Sequence, residues 1–224
     1  MSDLLKKLQS RFADAGYLEP HDIVLVGLGA VGQGVGLSLM AIGHNLHVYD
    51  NDKVNDVNCI PQGYLVDQIG MQKTMAFSEN SINGFGVYPT TYPFKYDGLC
   101  GQIMISAVDN MVGRKQIFEA FKNSDEAQLF IDARMNPVEF QIYCVTKDAD
   151  RIQRYEETLF NDNEVASQNC SFKASRHTNQ IIHGCITSFV CNWIENNHSE
   201  VPVYSVPFLY YHNTQILDLC SYQD

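Results

Sequence analysis

The chain has 224 residues, 45% of them hydrophobic and 18% charged, with a formal net charge of −11. That length suits one domain with a sizeable core, and the negative balance argues against broad binding to nucleic acid or an anionic membrane, because a polyanion needs a basic footprint. Seven cysteines without any Cys-x-x-Cys pair point to free thiols in a reducing cytoplasm and away from a paired-cysteine zinc site.

The opening run MSDLLKKLQSRF is charged and has no apolar centre, so no secretory signal is expected. Leu4, Leu5, Leu8 and Phe12 fall at helical spacing, which predicts an amphipathic helix over residues 1–20. Residues 22–27 read as a buried strand, 30–42 as a helix with small residues near its start, and 45–50 as a second strand ending in an acid, a β-α-β unit. A polar loop over 51–62 follows. A helix is then predicted over 72–82, strands over 87–92 and 102–107, a helix over 114–122, and strands over 128–133 and 138–145. Residues 147–175 are polar and read as a long surface crossing or lid. The apolar run 181–194 is too short to span a bilayer and carries His183 and Asn192, so it is expected to be a buried helix. The tail reads as a hairpin turning near His212 and Asn213. The expected architecture is one nucleotide-binding α/β domain over 21–224: a doubly wound, mostly parallel Rossmann-like sheet with antiparallel strands added at the C-terminus.

Gly27, Gly29 and Gly32 fit G-x-G-x-x-G between the first strand and its helix. The first permits a tight turn, the second lets the backbone approach phosphate, and the third lets helix and strand pack closely. Asp50, ending the next strand, lies at the distance along the chain expected of a ribose ligand. A tight turn without a ligand, a nicotinamide or flavin dehydrogenase and an ATP-using adenylyltransferase all remain open on these residues alone.

Four features further on favour ATP. Asp50-x-Asp52 is followed by Asn58, so the polar loop can offer more groups to a triphosphate. Lys73 opens a helix, where its ammonium can reach phosphate oxygens. Asp109 ends a strand at the carboxyl edge of the sheet, where a carboxylate beside phosphates suits Mg²⁺. Arg114 follows at the start of the next helix, as a phosphate ligand or as the structural partner of an acid.

The motifs VGLGAVG, YDNDKVNDVNCIPQ, IGMQK and SAVDNMVGR, in that order and approximate spacing, resemble the ubiquitin-activating-enzyme-like adenylyltransferases of the ThiF/MoeB/HesA type, over residues 23–194. The resemblance implies adenylation of the C-terminal carboxylate of a small ubiquitin-like or sulfur-carrier protein. It implies Gly27, Gly29 and Gly32 lining ATP, Asp50 on the ribose, Asp52 beside it, Asn58 and Lys73 on the phosphates, and Asp109 on Mg²⁺. It also implies a homodimer, with Arg11 as the nearest match to an arginine that reaches across it.

Two departures stand out. Pro61 occupies the arginine position of the family's N-x-x-R-Q, removing one phosphate-neutralising charge, and the family's zinc cysteines are absent. A degenerate, non-catalytic relative acting as a binding partner is therefore an alternative, with a NAD-dependent oxidoreductase as another. Cys170, flanked by Lys173, Arg176 and His177, sits where some relatives keep a nucleophilic cysteine; a loop thiol without a role is the other reading. Cys185 and Cys191 are expected in the core, His183 as a hydrogen-bonded core histidine, and Cys59 has no evident physical role.

Overall fold

A computed structural model describes residues 19–160, 176–201, 203–216 and 218–222. The expected N-terminal helix, with Arg11, and the segment carrying Cys170 and Lys173 lie outside the described residues.

In chain order the elements are β1 (Asp22–Val26), α1 (Ala30–Ile42), β2 (Asn45–Tyr49), the single turn α2 (Cys59–Gln62), α3 (Lys73–Phe85), β3 (Thr90–Tyr92), β4 (Ile103–Ser106), α4 (Met111–Asn123), β5 (Leu129–Met135), β6 (Glu139–Thr146), α5 (Ala149–Glu156), α6 (Arg176–His198), β7 (Leu209–Asn213) and β8 (Asp218–Tyr222). They form one eight-stranded sheet in the order β3-β2-β1-β4-β5-β6-β7-β8. The first five strands are parallel neighbours and the last three join antiparallel. This is the doubly wound, Rossmann-like arrangement expected, with its topological switch point between β1 and β4.

Both faces of the sheet are covered, which is why β1 is apolar at every position after Asp22. Ile23 and Leu25 pack with Val35 and Leu39 of α1, Phe77 of α3 and Ile186 and Val190 of α6. Val24 and Val26 point to the opposite core, with Phe118 and Phe121 of α4 and Tyr155 of α5. The period-two alternation of a strand thus divides one run of residues between two cores.

Several boundaries differ from the expectation. The predicted strand over 87–92 pairs only at Thr90–Tyr92, because Gly86 caps α3 at φ 70° and the Val87 carbonyl accepts the Ser81 hydroxyl. The polar stretch from residue 147 begins not as a crossing but as anchored structure. The Lys147 ammonium donates to the carbonyls of Phe121 and Ser124, both at 2.6 Å, closing the end of α4. Asp148 caps α5, which buries Tyr155 completely. The tail hairpin turns later than expected: His212 and Asn213 belong to β7, and Asn213 Oδ1 accepts the N–H of Gln215, forming the turn. Cys59 gains a physical account as a buried member of a small cluster with Val54, Tyr64 and Ala76. The six cysteines among the described residues are all free thiols.

Arg114, expected among the nucleotide ligands, is committed elsewhere. Its Nε donates to Asp132 Oδ1 at 2.6 Å and its Nη2 to the carbonyls of Val108 and Ala133. Arg134 donates to the other oxygen, Asp132 Oδ2, at 2.7 Å, and reaches the Thr158 hydroxyl with Nη2. Asp132 is fully buried and Arg114 is 5% exposed. Of the two readings left open for Arg114, the structure has the pairing with an acid, and through Val108 that pair fixes the β4–α4 loop. Removing the shared anion strands two guanidiniums: Asp132→Ala is expected to destabilise the fold by about 3–5 kcal/mol, read from urea unfolding, and a loss below ~1 kcal/mol would contradict this account.

His44, immediately before β2, is 1% exposed, and its Nε2 has no partner among the described residues. Burial, aided by His21, pushes it down from 6.5 to about 4. Between those values the unfolded chain binds the proton and the folded one does not. Its contribution to stability is therefore complete above pH 6.5 and is lost as pH falls towards 4. Stability should drop by roughly 2 kcal/mol between pH 6.5 and 5, with a shallower slope in His44→Asn; parallel slopes would contradict it.

Candidate functional site

The strand order reverses between β1 and β4, and the carboxyl ends of these strands are where a doubly wound fold places its ligand crevice. Gly27 has φ 95°, and a Cβ there would lie 2.6 Å from the Ala107 carbonyl oxygen. A Cβ on Gly32 would lie 1.8 Å from the Gly27 carbonyl oxygen, whereas one on Gly29 would meet nothing within 4 Å. The three glycines therefore divide into two that the packing requires and one that faces open space.

Gly29 is also the N-cap of α1, without a side-chain cap and without an acid in the first turn. The first N–H groups of a helix have no intrahelical partner, so α1 presents donors and the positive end of its dipole to the crevice. In contrast, α4 is capped by the Asn110 side chain and α5 by that of Asp148.

Asp50 stands on one side. Its Oδ2 accepts the Leu28 N–H at 2.7 Å and its Oδ1 the Asp52 N–H at 2.8 Å, tying the end of β2 to the glycine loop. Burial raises the Asp50 carboxyl above its ordinary value, against the pull of Lys73 and of both N–H groups. The Lys73 ammonium lies 3.0 Å from Asp52 Oδ2 and 3.9 Å from Asp50 Oδ2. Lys73 is held there because its own N–H donates to the Asp52 carbonyl and the loop pairs at Lys53 and Gln72. Asp52 is exposed, so this pair is open to exchange with a ligand. On the other side Asp109 is exposed two residues beyond Ala107, the residue that abuts Gly27.

Asn58 Oδ1 accepts the Asn55 N–H in a local turn. The segment that follows it forms a wall. The Tyr64 hydroxyl donates to the Leu28 carbonyl at 2.7 Å. From α6, Asn179 donates to the Pro61 carbonyl, Arg176 Nη1 to the Ile60 carbonyl at 3.3 Å, and His183 Nε2 to the Ala30 carbonyl at 2.7 Å. His183 is thus a hydrogen-bonded, partly buried histidine, as its apolar setting suggests; Cys191 is buried and Cys185 packs on the same core. Tyr64 and Asn179 are contacts around the glycine loop that the sequence reading did not single out, and Arg176 enters that reading only as a neighbour of Cys170. A lone tyrosine in a polar loop was a usable signal. Asn179 gave none, since it lies before the apolar run that marks the helix.

No family model matches the chain and no curated protein matches its sequence. Among solved structures, PaaA aligns with 92% of the chain at 17% identity and a TM-score of 0.71. E. coli MccB solved with ATP aligns with 98% at 13% identity and 0.72, and MccB with AMPCPP and MccA with 98% at 14% identity and 0.70. The chain spans 65–66% of the length of these three structures. MccB is described as a microcin C7 biosynthetic enzyme. At such identities the likeness is one of fold, and the chain shares the doubly wound fold of PaaA and MccB.

Proposed function

We propose that the chain is an ATP-dependent adenylyltransferase acting on the C-terminal carboxylate of a small ubiquitin-like or sulfur-carrier protein, as a homodimer. The observation that carries this reading is the uncapped start of α1, with Gly29 open before it and carboxylates on both sides. Such a cradle suits phosphates, and its carboxylates suit the ribose and the cation that a triphosphate brings. Fold neighbours solved with ATP, and with AMPCPP together with MccA, support a nucleotide and a second substrate on this scaffold.

In the proposed reaction a substrate carboxylate oxygen attacks the α-phosphorus. A new P–O bond forms, the bond to the β-phosphate oxygen breaks, and pyrophosphate leaves with its electron pair. The chain positions the groups and disperses charge. The N–H groups at the start of α1 would take phosphate oxygens. Asp50 keeps acceptor capacity beyond its two backbone partners for ribose hydroxyls. Lys73 would exchange its exposed partner Asp52 for a distal phosphate oxygen, and Asp109 would hold Mg²⁺ together with phosphate oxygens. Asn58 would act from the phosphate side, and Cys170 as an acyl acceptor, a role that Cys170→Ser and adduct trapping would test.

The deciding assays are ATP–pyrophosphate exchange with candidate acceptor proteins and calorimetry with ATP–Mg²⁺, AMP and NAD. Lys73→Ala is expected to weaken ATP by about tenfold or more while leaving AMP within a few-fold, and Asp109→Ala to abolish the Mg²⁺ dependence of ATP binding. Wild-type affinity for ATP–Mg²⁺ in both variants, or preferential binding of NAD, would overturn the assignment.

A further inference from the structure

Six of the fourteen large hydrophobic side chains exposed among the described residues lie between positions 57 and 75: Val57, Ile60, Leu65, Val66, Ile69 and Met75. The chain that carries them, from the end of β2 to the first turn of α3, is a folded layer. Its inner side is a buried cluster of Val54, Cys59, Tyr64 and Ala76. The Cys59 thiol donates to the carbonyls of Asn55 and Leu65, the Gly70 N–H donates to the Val54 carbonyl, and the bridge between Lys53 and Gln72 closes the base. With the interior filled by those residues, the six others take the outer side.

Exposure on this scale needs a cause. The six residues are 46–78% exposed and together offer on the order of 700 Å², where the largest apolar patch of a typical monomer is about 300–600 Å². The area is close to the ~800 Å² that each partner contributes to a standard interface.

Composition decides which partner fits. Residues 57–66 include no charged side chain, and residues 57–75 include no Trp or Arg; the one tyrosine there, Tyr64, is buried. Transient interfaces are no more apolar than the rest of the surface and are anchored by Trp, Tyr and Arg, whereas homodimer interfaces are more apolar. The uncharged run is bracketed by the exposed residues Lys53, Asp56 and Asp67. They carry both signs, so a two-fold contact can set Lys53 of each copy against an acid of the other.

Resting on the homodimer of the proposed function, we propose that a second copy of this chain docks on the face formed by Val57, Ile60, Leu65, Val66, Ile69 and Met75, across a two-fold axis. Tyr64, inside the same layer, bonds the Leu28 carbonyl of the glycine loop, and the layer runs into Lys73. The contact therefore braces the wall of the candidate crevice from outside.

Sedimentation velocity of wild type, the double variant Ile60→Asp/Val66→Asp and the control Val203→Asp tests this, with ATP–Mg²⁺ calorimetry on the same samples. Val203 is exposed outside the face. Wild type and Val203→Asp are expected as dimers, and the double variant as a monomer, its dimer dissociation constant raised at least about 100-fold. Hydrogen exchange on wild type gives a reading without a variant: protection over residues 57–69 should rise with protein concentration. A double variant that stays dimeric, dissociation of Val203→Asp alone, or protection that rises elsewhere and not over 57–69 overturns the proposed face and leaves the homodimer standing. A monomeric wild type overturns both and gives the face to a different protein, while its ATP binding still tests the nucleotide reading separately.

Discussion

The crevice depends on one steric constraint, the contact between Gly32 and the Gly27 carbonyl, where a single added carbon would lie at 1.8 Å. Because Gly32 has no side chain, α1 starts directly against the turn that ends β1. That closeness aims the first N–H groups of α1, which lack intrahelical partners, into the switch point rather than into the sheet. The other parts of the site are arranged around this fixed turn. Tyr49 receives the Gly27 N–H on its carbonyl, Asp50 receives the Leu28 N–H, and Tyr64 donates to the Leu28 carbonyl.

The two flanks are held by different physics. On the β2 side, Asp50, Asp52 and Lys73 form a small, partly exposed charge cluster whose members can change partners. On the β4 side, the set Arg114–Asp132–Arg134, built on the fully buried Asp132, makes a rigid foundation. Breaking it costs far more than making it gains, because the desolvation of the remaining ions is no longer offset. One side is thus suited to adapt to a ligand, and the other to keep Asp109 in register while it does.

The sequence made the parallel half of the fold readable, since glycine spacing, apolar strands and strand-end acids are local signals. Gly27, Gly29, Gly32, Asp50, Lys73 and Asp109 all lie at strand or helix ends around one crevice. Arg114 could not be assigned from sequence because its partner is 18 residues away on another strand, and nothing local distinguishes Asp132 from an exposed acid. The first described turn of α6 was also hidden: Arg176 to Gln180 are polar and carry no apolar period, so the helix was legible only from residue 181. Helix α5 was missed because one capping aspartate and two inward residues, Ile152 and Tyr155, suffice to anchor eight residues of otherwise polar chain.

Gly34 has a consequence for how this chain can change over generations. The imidazole of His183 occupies the space where a side chain at residue 34 would begin, with ring atoms 2.1 Å from an ideal Cβ. Any larger residue at 34 must evict the ring and with it the bond to Ala30. Any smaller residue at 183 opens a hole over Gly34. The two positions are locked in sign-dependent epistasis: a change acceptable at one becomes so only after a matching change at the other, and their separate effects do not add. Substitution there must proceed through a worse intermediate or as a paired event, and the joint between α1 and α6 resists drift on packing grounds alone.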